Sequence, residues 1–314
     1  MYINNNKIMV PENLQRVFYK LLAVFALLLL NVDVNSQHAL QPIQNNLSMK
    51  LGGEYRKTDF RWSIAGNMDG KDPNIYSELI FNPIQAAGFY ADANYRLLSK
   101  LSIQLHYNQL YTYKGRVTDF DYEGDNRTLP VVQLYLKSHK GTMRTTGGNI
   151  HYTAFKNPSW NIETGVGYTA TKELFYLLDD QNSDLRSTYT AQWKGPSLIG
   201  GVEWYCSKKI YAGVHAALHI LKYDAEANWN LIQEFRHPVS FVHDAKGIGW
   251  DLKAYMGYKL TRHFEINAEW VYNNWKTNHG TDRLFLANGE TPETRMNGAF
   301  KKSNGWRAGI IYVF

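Results

Sequence analysis

Past residue 100 the chain alternates apolar and polar side chains with a period of two, over and over, and this pattern constrains the fold most. Leu101, Ile103, Leu105 and Tyr107 alternate with Ser102, Gln104, His106 and Asn108. Ile162, Thr164, Val166 and Tyr168 alternate with Asn161, Glu163, Gly165 and Gly167. Val214, Ala216, Leu218 and Ile220 alternate with His215, Ala217 and His219. Successive side chains of a strand point to opposite faces, so a period of two means strands with one apolar and one polar face. No helical period of useful length follows residue 40. The 22 Tyr, 14 Phe and 9 Trp suit aromatic-rich strands, and 24 Gly against 9 Pro suit turns.

Two solvents can explain two unlike faces. In a soluble sandwich the apolar face is the core; in a membrane barrel it meets lipid and the polar face lines the lumen. Three features select the barrel. Many alternating runs last about 12 to 20 residues, beyond the usual soluble strand. Short connections such as Leu98-Ser99-Lys100, Asn157-Pro158-Ser159, Ser207-Lys208-Lys209 and Thr261-Arg262-His263 alternate with long polar ones. The chain ends on the face Trp306, Ala308, Ile310, Tyr312, Phe314, which resembles the closing signature of bacterial outer-membrane barrels. The pattern predicts an all-β, antiparallel up-and-down transmembrane β-barrel of about ten strands. The strands fall near 46–66, 74–97, 101–119, 141–156, 160–174, 190–206, 209–226, 243–260, 263–278 and 300–314. The long outer connections fall near 67–73, 120–140, 175–189, 227–242 and 279–299.

The N-terminus carries Arg16 and Lys20, the apolar run Leu21 to Leu30, then Val34-Asn35-Ser36. That order predicts a cleaved signal peptide over 1–36, a single barrel domain over 37–314, and Sec-type export to the outer membrane. Phe314 is then the residue read by the barrel assembly machinery. Loss of the leader lowers the formal charge from +6 to +5. No dense basic stripe speaks for nucleic acid. Surplus cations on an exported barrel suit anionic lipid headgroups, with lipopolysaccharide as the possible bound lipid and an extracellular ligand as a possible partner. The single cysteine, Cys206, excludes a disulfide framework. His215 and His219 lie four residues apart in a strand, too far for one ion, so no metal site is expected.

Asp72-Pro73-Asn74-Ile75-Tyr76-Ser77-Glu78-Leu79-Ile80-Phe81 and the terminal Tyr312-Val313-Phe314 resemble segments of the omptin-fold barrels, and more closely of omptin-like barrels from Bacteroidota-type bacteria. The resemblance spans most of 46–314. It implies a ten-stranded outer-membrane barrel of a fold that serves both proteases and adhesins. Omptin proteases face an Asp-x-Asp pair, after the third strand, with an Asp-x-His pair after the seventh. Here Asp119-Phe120-Asp121 matches the first, while Asp224-Ala225-Glu226 places Glu226 where the family has histidine. A histidine passes a proton near neutral pH; a glutamate does so only with a raised pKa. Strand phase also puts Asp119, Asp121, Asp224 and Glu226 on the apolar parity unless a bulge, for instance at Gly115, turns them inward. The expectation is therefore a non-proteolytic surface barrel whose outer loops bind lipid, host or partner ligands. The alternative is an endopeptidase using Asp119, Asp121 and Asp224. Inward parity further assigns Glu78, Glu163, Glu203, Asp251, Lys253, Glu265, Glu269 and Arg307 to a lumen network, with Arg307 and Lys253 as its cations.

Overall fold

The computed structural model describes residues 47–314, so the leader predicted over 1–36 lies outside the described residues. Strand segments run β1 (Leu47–Ile64), β2 (Ser77–Leu98), β3 (Leu101–Lys114), β4 (Arg116–Gly124), β5 (Thr128–Lys137), β6 (Thr142–Lys156) and β7 (Trp160–Leu178). They continue as β8 (Arg186–Tyr205), β9 (Ile210–Asn228), β10 (Phe241–Lys259), β11 (Phe264–Thr277), β12 (Gly280–Leu284) and β13 (Glu293–Val313). All belong to one antiparallel sheet, which β1 and β13 close from Ser48↔Val313 to Ile64↔Met296. The wall is a closed barrel of ten staves. Three staves are broken: β3/β4 at Gly115, β5/β6 over 138–141, and β11/β12 over 278–279.

Alternation sets the wall. On β9 the outward Val214 and Leu218 are 47% and 51% exposed, whereas the inward His219 and Tyr223 are 4% and 0%. Toward the short-turn end the lumen is polar. Toward the other end it is filled by rings: Phe60 lies 5.3 Å from Phe175, Phe81 4.7 Å from Phe175, Trp62 5.6 Å from Tyr189, and Trp193 4.4 Å from Tyr223. Burying each such ring contributes about 1.5–3 kcal/mol, and each close ring pair roughly 0.5–1.5 kcal/mol more.

Two of the expected loops are strands. The 120–140 stretch is the β4–β5 hairpin, because Val131, Val132, Leu134 and Leu136 sustain a strand beyond the wall and only Asp125–Arg127 turns. The 279–299 stretch holds β12 and the start of β13, which pair from Gly280↔Met296 to Arg283↔Glu293.

Two irregularities shift side chains between faces. On β2 the partners of β1 step from Ile84 (opposite Thr58) to Phe81 (opposite Phe60), so Asn82-Pro83 is a bulge. Pro83 has no N–H to give to a ladder, which suits it to that place. The second is a bulge at Tyr113, since Ala86 faces Thr112 but Gln85 faces Lys114; past the break at Gly115, β4 leaves β6 behind and pairs with β5.

Candidate functional site

Asp119 stands opposite the core residue Leu79, and Asp121 opposite Ser77. Both therefore face inward, reversing the phase extrapolated from Leu101–Tyr107; the bulge at Tyr113 is the cause. Asp119 is 7% exposed. Burial, reinforced by the neighbouring Asp121 carboxylate, pushes its carboxyl up to about 7 despite a hydrogen bond from the Trp229 side chain. Burial also raises Asp121, against a hydrogen bond from the Ser77 hydroxyl.

The second pair points the other way. Asp224 lies opposite Gln192 and Asp244, and Glu226 opposite Thr190 and Val242. The inward positions at this level of β9 are Ala225 and Ala227, both buried. Asp224 is ion-paired on the outer wall with Lys222 (2.8 Å) and Lys194 (3.1 Å). Burial alone would raise its carboxyl; the two ammonium groups outweigh that and hold it below the ordinary range. The structure thus separates Asp119 and Asp121 from Asp224 and Glu226 by the thickness of the wall.

Among the described residues no histidine forms an ion pair with Asp119. His237 Nδ1 lies 2.8 Å from Asn228 Oδ1. His243 is buried, with Nδ1 2.8 Å from the Tyr189 hydroxyl and Nε2 3.0 Å from Asp282 Oδ1. Tyr189 and Tyr223 share a 2.6 Å hydrogen bond, and Thr294 donates to Asp282 Oδ2 at 3.0 Å. Sequence reasoning missed Asp282, whose contact depends on β12 pairing with β10.

Inside the barrel, Arg307 donates to Glu54 at 2.9 Å and lies 3.8 Å from Glu269. Glu54 also pairs with Arg56. Lys50 reaches Glu269 at 2.5 Å and Asp92 at 3.5 Å, and Lys301 reaches Glu173 at 2.9 Å. The Glu163 carboxylate sits 3.2 Å from His151 and 3.3 Å from His215. The Tyr255 hydroxyl donates to Glu203 at 3.0 Å, and the Tyr211 hydroxyl donates to Glu265 at 2.7 Å. Asp251 accepts from Trp275 at 2.7 Å and lies 3.0 Å from His219.

Two expectations for this network need correction. Glu78 is not in it: the Asn82-Pro83 bulge reverses its parity, and at the far end it accepts from Arg127 Nε (2.8 Å) and the Tyr122 hydroxyl (2.9 Å). Lys253 faces the lumen, but its ammonium lies over the Tyr255 ring, 5.6 Å from the centroid. The principal paired cations are Arg307, Lys50, Arg56 and Lys301. The parity of Lys50, Glu54 and Arg56 along β1 carried a legible signal for three residues that the sequence reading passed over. Chambers of about 170 and 280 Å³ adjoin the network, the larger one at the short-turn end near Ser99 and Lys100.

On the outer wall, cations stand side by side where the apolar band ends. Lys194 is opposite Lys222, which is opposite Lys246; Arg144 is opposite Lys172. Below them lie Leu198, Ile220 and Ile248 on the same outward parity. Like charges directly opposite in a sheet repel. Asp224 answers Lys194 and Lys222 only.

A closed barrel with an apolar outer band and a polar lumen defines an outer-membrane β-barrel of omptin-like fold. The chain belongs to the Protochlamydia outer membrane protein (Pom) family, whose model matches residues 49–314. The sequence reading looked to Bacteroidota-type relatives; the matching family carries a Protochlamydia name. Among solved structures the chain is similar to the outer membrane protease OmpT of Escherichia coli, at 13% identity and a TM-score of 0.69, over 87% of this chain and 98% of that one. The translocator domain of the autotransporter NalP from Neisseria meningitidis matches at 9% identity and a TM-score of 0.40, over 88% and 91% of the two chains. OprG of Pseudomonas aeruginosa matches at 12% identity and a TM-score of 0.38, over 86% and 97%. No curated protein sequence matches the chain. Family and fold together place the protein in the bacterial outer membrane.

Proposed function

We propose that the protein is a non-proteolytic surface barrel whose outer wall binds phosphorylated lipid headgroups, with the long-connection end outside the cell. The observation that carries this reading is the rung Lys194–Lys222–Lys246, three cations on neighbouring strands at the edge of the apolar band. An anion seated between them turns repulsion into charge-assisted hydrogen bonding, and a lipid phosphate is the anion available at that height. Lipopolysaccharide is the lipid this chemistry favours. Geometry supports the non-proteolytic part of this reading: a water held by Asp119 and Asp121 meets neither Asp224 nor Glu226, which lie on the other face of the wall.

The test uses the full barrel in phosphatidylcholine vesicles, with and without added lipopolysaccharide, read by heat-modifiable mobility. Lipopolysaccharide is expected to raise the unfolding temperature, and combined Lys194→Gln, Lys222→Gln and Lys246→Gln to remove most of the rise. An undiminished rise in that variant defeats the headgroup reading. Cleavage of a fluorogenic peptide library, lost in Asp119→Ala, defeats the non-proteolytic one.

A further inference from the structure

The β4–β5 hairpin leaves one strand with a free edge. β5 pairs with β4 along its length, but meets β7 only at Lys137↔Leu178. From Leu136 to Thr128 its other side carries no ladder among the described residues. Which groups face that side follows from the antiparallel pattern. The Ser138 N–H donates to the Gly115 carbonyl at 3.0 Å, and Lys137 faces β7, so alternate residues Gln133 and Tyr135 direct N–H and C=O to the open edge.

Near the tip the edge is interrupted by Leu129 (φ 53°), Pro130 and a bulge at Val131, but from Val132 to Leu136 it lacks the usual protections. Thr128–Leu136 holds no charged residue, and Val131 and Tyr135 are 55% and 73% exposed. Sheet proteins ordinarily blunt such an edge with charge, cover, brevity, proline or a bulge, and Val132–Leu136 has none of these. The strand is also held out firmly. At the tip, the Asn74 N–H donates to Asp125 Oδ1 at 2.6 Å and the Asn126 N–H donates to Asn74 Oδ1 at 2.8 Å. Arg127 is clamped to Glu78 by two 2.8 Å hydrogen bonds. A strand fixed in extended form with open amides is prepared for pairing, since little ordering remains to be done on binding.

We propose that β5 is a docking edge for an extended, uncharged polypeptide segment of another protein, added as a further strand beside Gln133 and Tyr135. The uncharged character follows from the edge: an ionised side chain packed beside Val131–Leu136 would be desolvated without a counter-charge. Leu47, the first described residue, stands at the short-turn end opposite Tyr95, the length of the barrel away from β5, which favours an occupant from another protein. A second copy in the same membrane fails on symmetry. A two-fold axis along the membrane normal makes the two β5 strands parallel, with equivalent residues opposite each other. A parallel ladder requires that of two opposed residues only one turns its N–H and C=O toward the partner, so the symmetric pair cannot form it.

The experiment uses the full barrel in detergent and a dye-labelled peptide KTVTVTVTK, with a version N-methylated at alternate amides. Saturable binding is expected for the first peptide and not for the second. Gln133→Pro removes an edge N–H without touching the β4 ladder, and should weaken binding about tenfold, the worth of one to two backbone hydrogen bonds. Tyr135→Lys, which introduces a charge at the edge, should do likewise. Unchanged heat-modifiable mobility confirms that both variants fold. No binding by the unaltered barrel, or binding indifferent to both substitutions, overturns the proposal. A detergent-solubilised dimer that Gln133→Pro dissociates overturns it in favour of a contact between copies.

Discussion

Asp119 is the residue whose chemistry the fold alters most openly. Its carboxyl titrates near 7 in the barrel, against an ordinary value of 3.8, because it is buried beside Asp121. Between those values the folded state binds the proton more tightly than the unfolded chain does. Stability from this group therefore falls as pH rises from about 4 to about 7, and the penalty is complete above that. Asp119→Asn should stabilise the barrel at pH 8, by on the order of 2–4 kcal/mol, and have little effect at pH 4. Unfolding curves at the two pH values check this; an equal change at both would mean that Asp119 is ionised throughout. At Glu78 burial pushes the carboxyl up, but hydrogen bonds from Arg127 and Tyr122 outweigh it and hold it low. Arg127 is half exposed, so Arg127→Ala should destabilise by about 1–3 kcal/mol, less than a fully buried pair would lose. Limited proteolysis should also open the β4–β5 tip in that variant. The inward turn of Asp119 was legible only as a condition, because phase carried from Tyr107 reverses at a bulge, and that bulge lies at Tyr113 rather than at Gly115. The outward turn of Asp224 and Glu226 was legible, because β9 alternates without interruption from Ile210 to Asn228.

Strands inherit their faces from their neighbours, and this decides what each lumen charge meets. Glu54 on β1 and Arg307 on β13 are direct ladder partners, as are Glu269 on β11 and Arg307. Arg307 is therefore held by both strands that flank its own. Removing one member of a buried pair leaves an uncompensated charge, so Arg307→Ala should destabilise by about 3–5 kcal/mol, whereas Lys140→Ala in an exposed connection should stay within about 0.5 kcal/mol. Heat-modifiable unfolding temperatures compare the two; equal small effects would mean that water solvates each lumen charge separately. Lumen acids such as Glu163, Glu203 and Glu269 were readable from parity because their strands are unbroken. Glu78 was not, since a single bulge at Asn82-Pro83 exchanges the faces above it. The ten-stave count was readable from the short turns. The β4–β5 and β12–β13 hairpins were not, because a strand beyond the apolar band has no lipid to mark one of its faces.

The whole molecule exchanges its interior partway along the axis. Near the short turns the outer wall is apolar and the lumen polar, as in a barrel read against lipid. Beyond the rung Lys194–Lys222–Lys246 the order inverts: the outer wall carries charge, while Trp62, Phe81, Phe175, Tyr189 and Trp193 fill the inside at no more than 3% exposure. That half is built like a soluble protein, with a core of packed rings and paired polar groups, which explains how the strands project without unravelling. It also bears on conduction. An ion entering from the chamber of about 280 Å³ meets packed rings whose polar groups, such as the Tyr189 and Tyr223 hydroxyls and His243, are already hydrogen-bonded to one another and do not replace its hydration shell. The intact barrel in a planar bilayer should therefore show no steady ohmic channel. Truncating one ring, as in Phe175→Ala, should destabilise by about 3–5 kcal/mol and leave the bilayer non-conducting, because the surrounding rings still close the section. A steady channel in the unaltered protein would mean that the aromatic section opens in the membrane, and the barrel would then have to be treated as a pore.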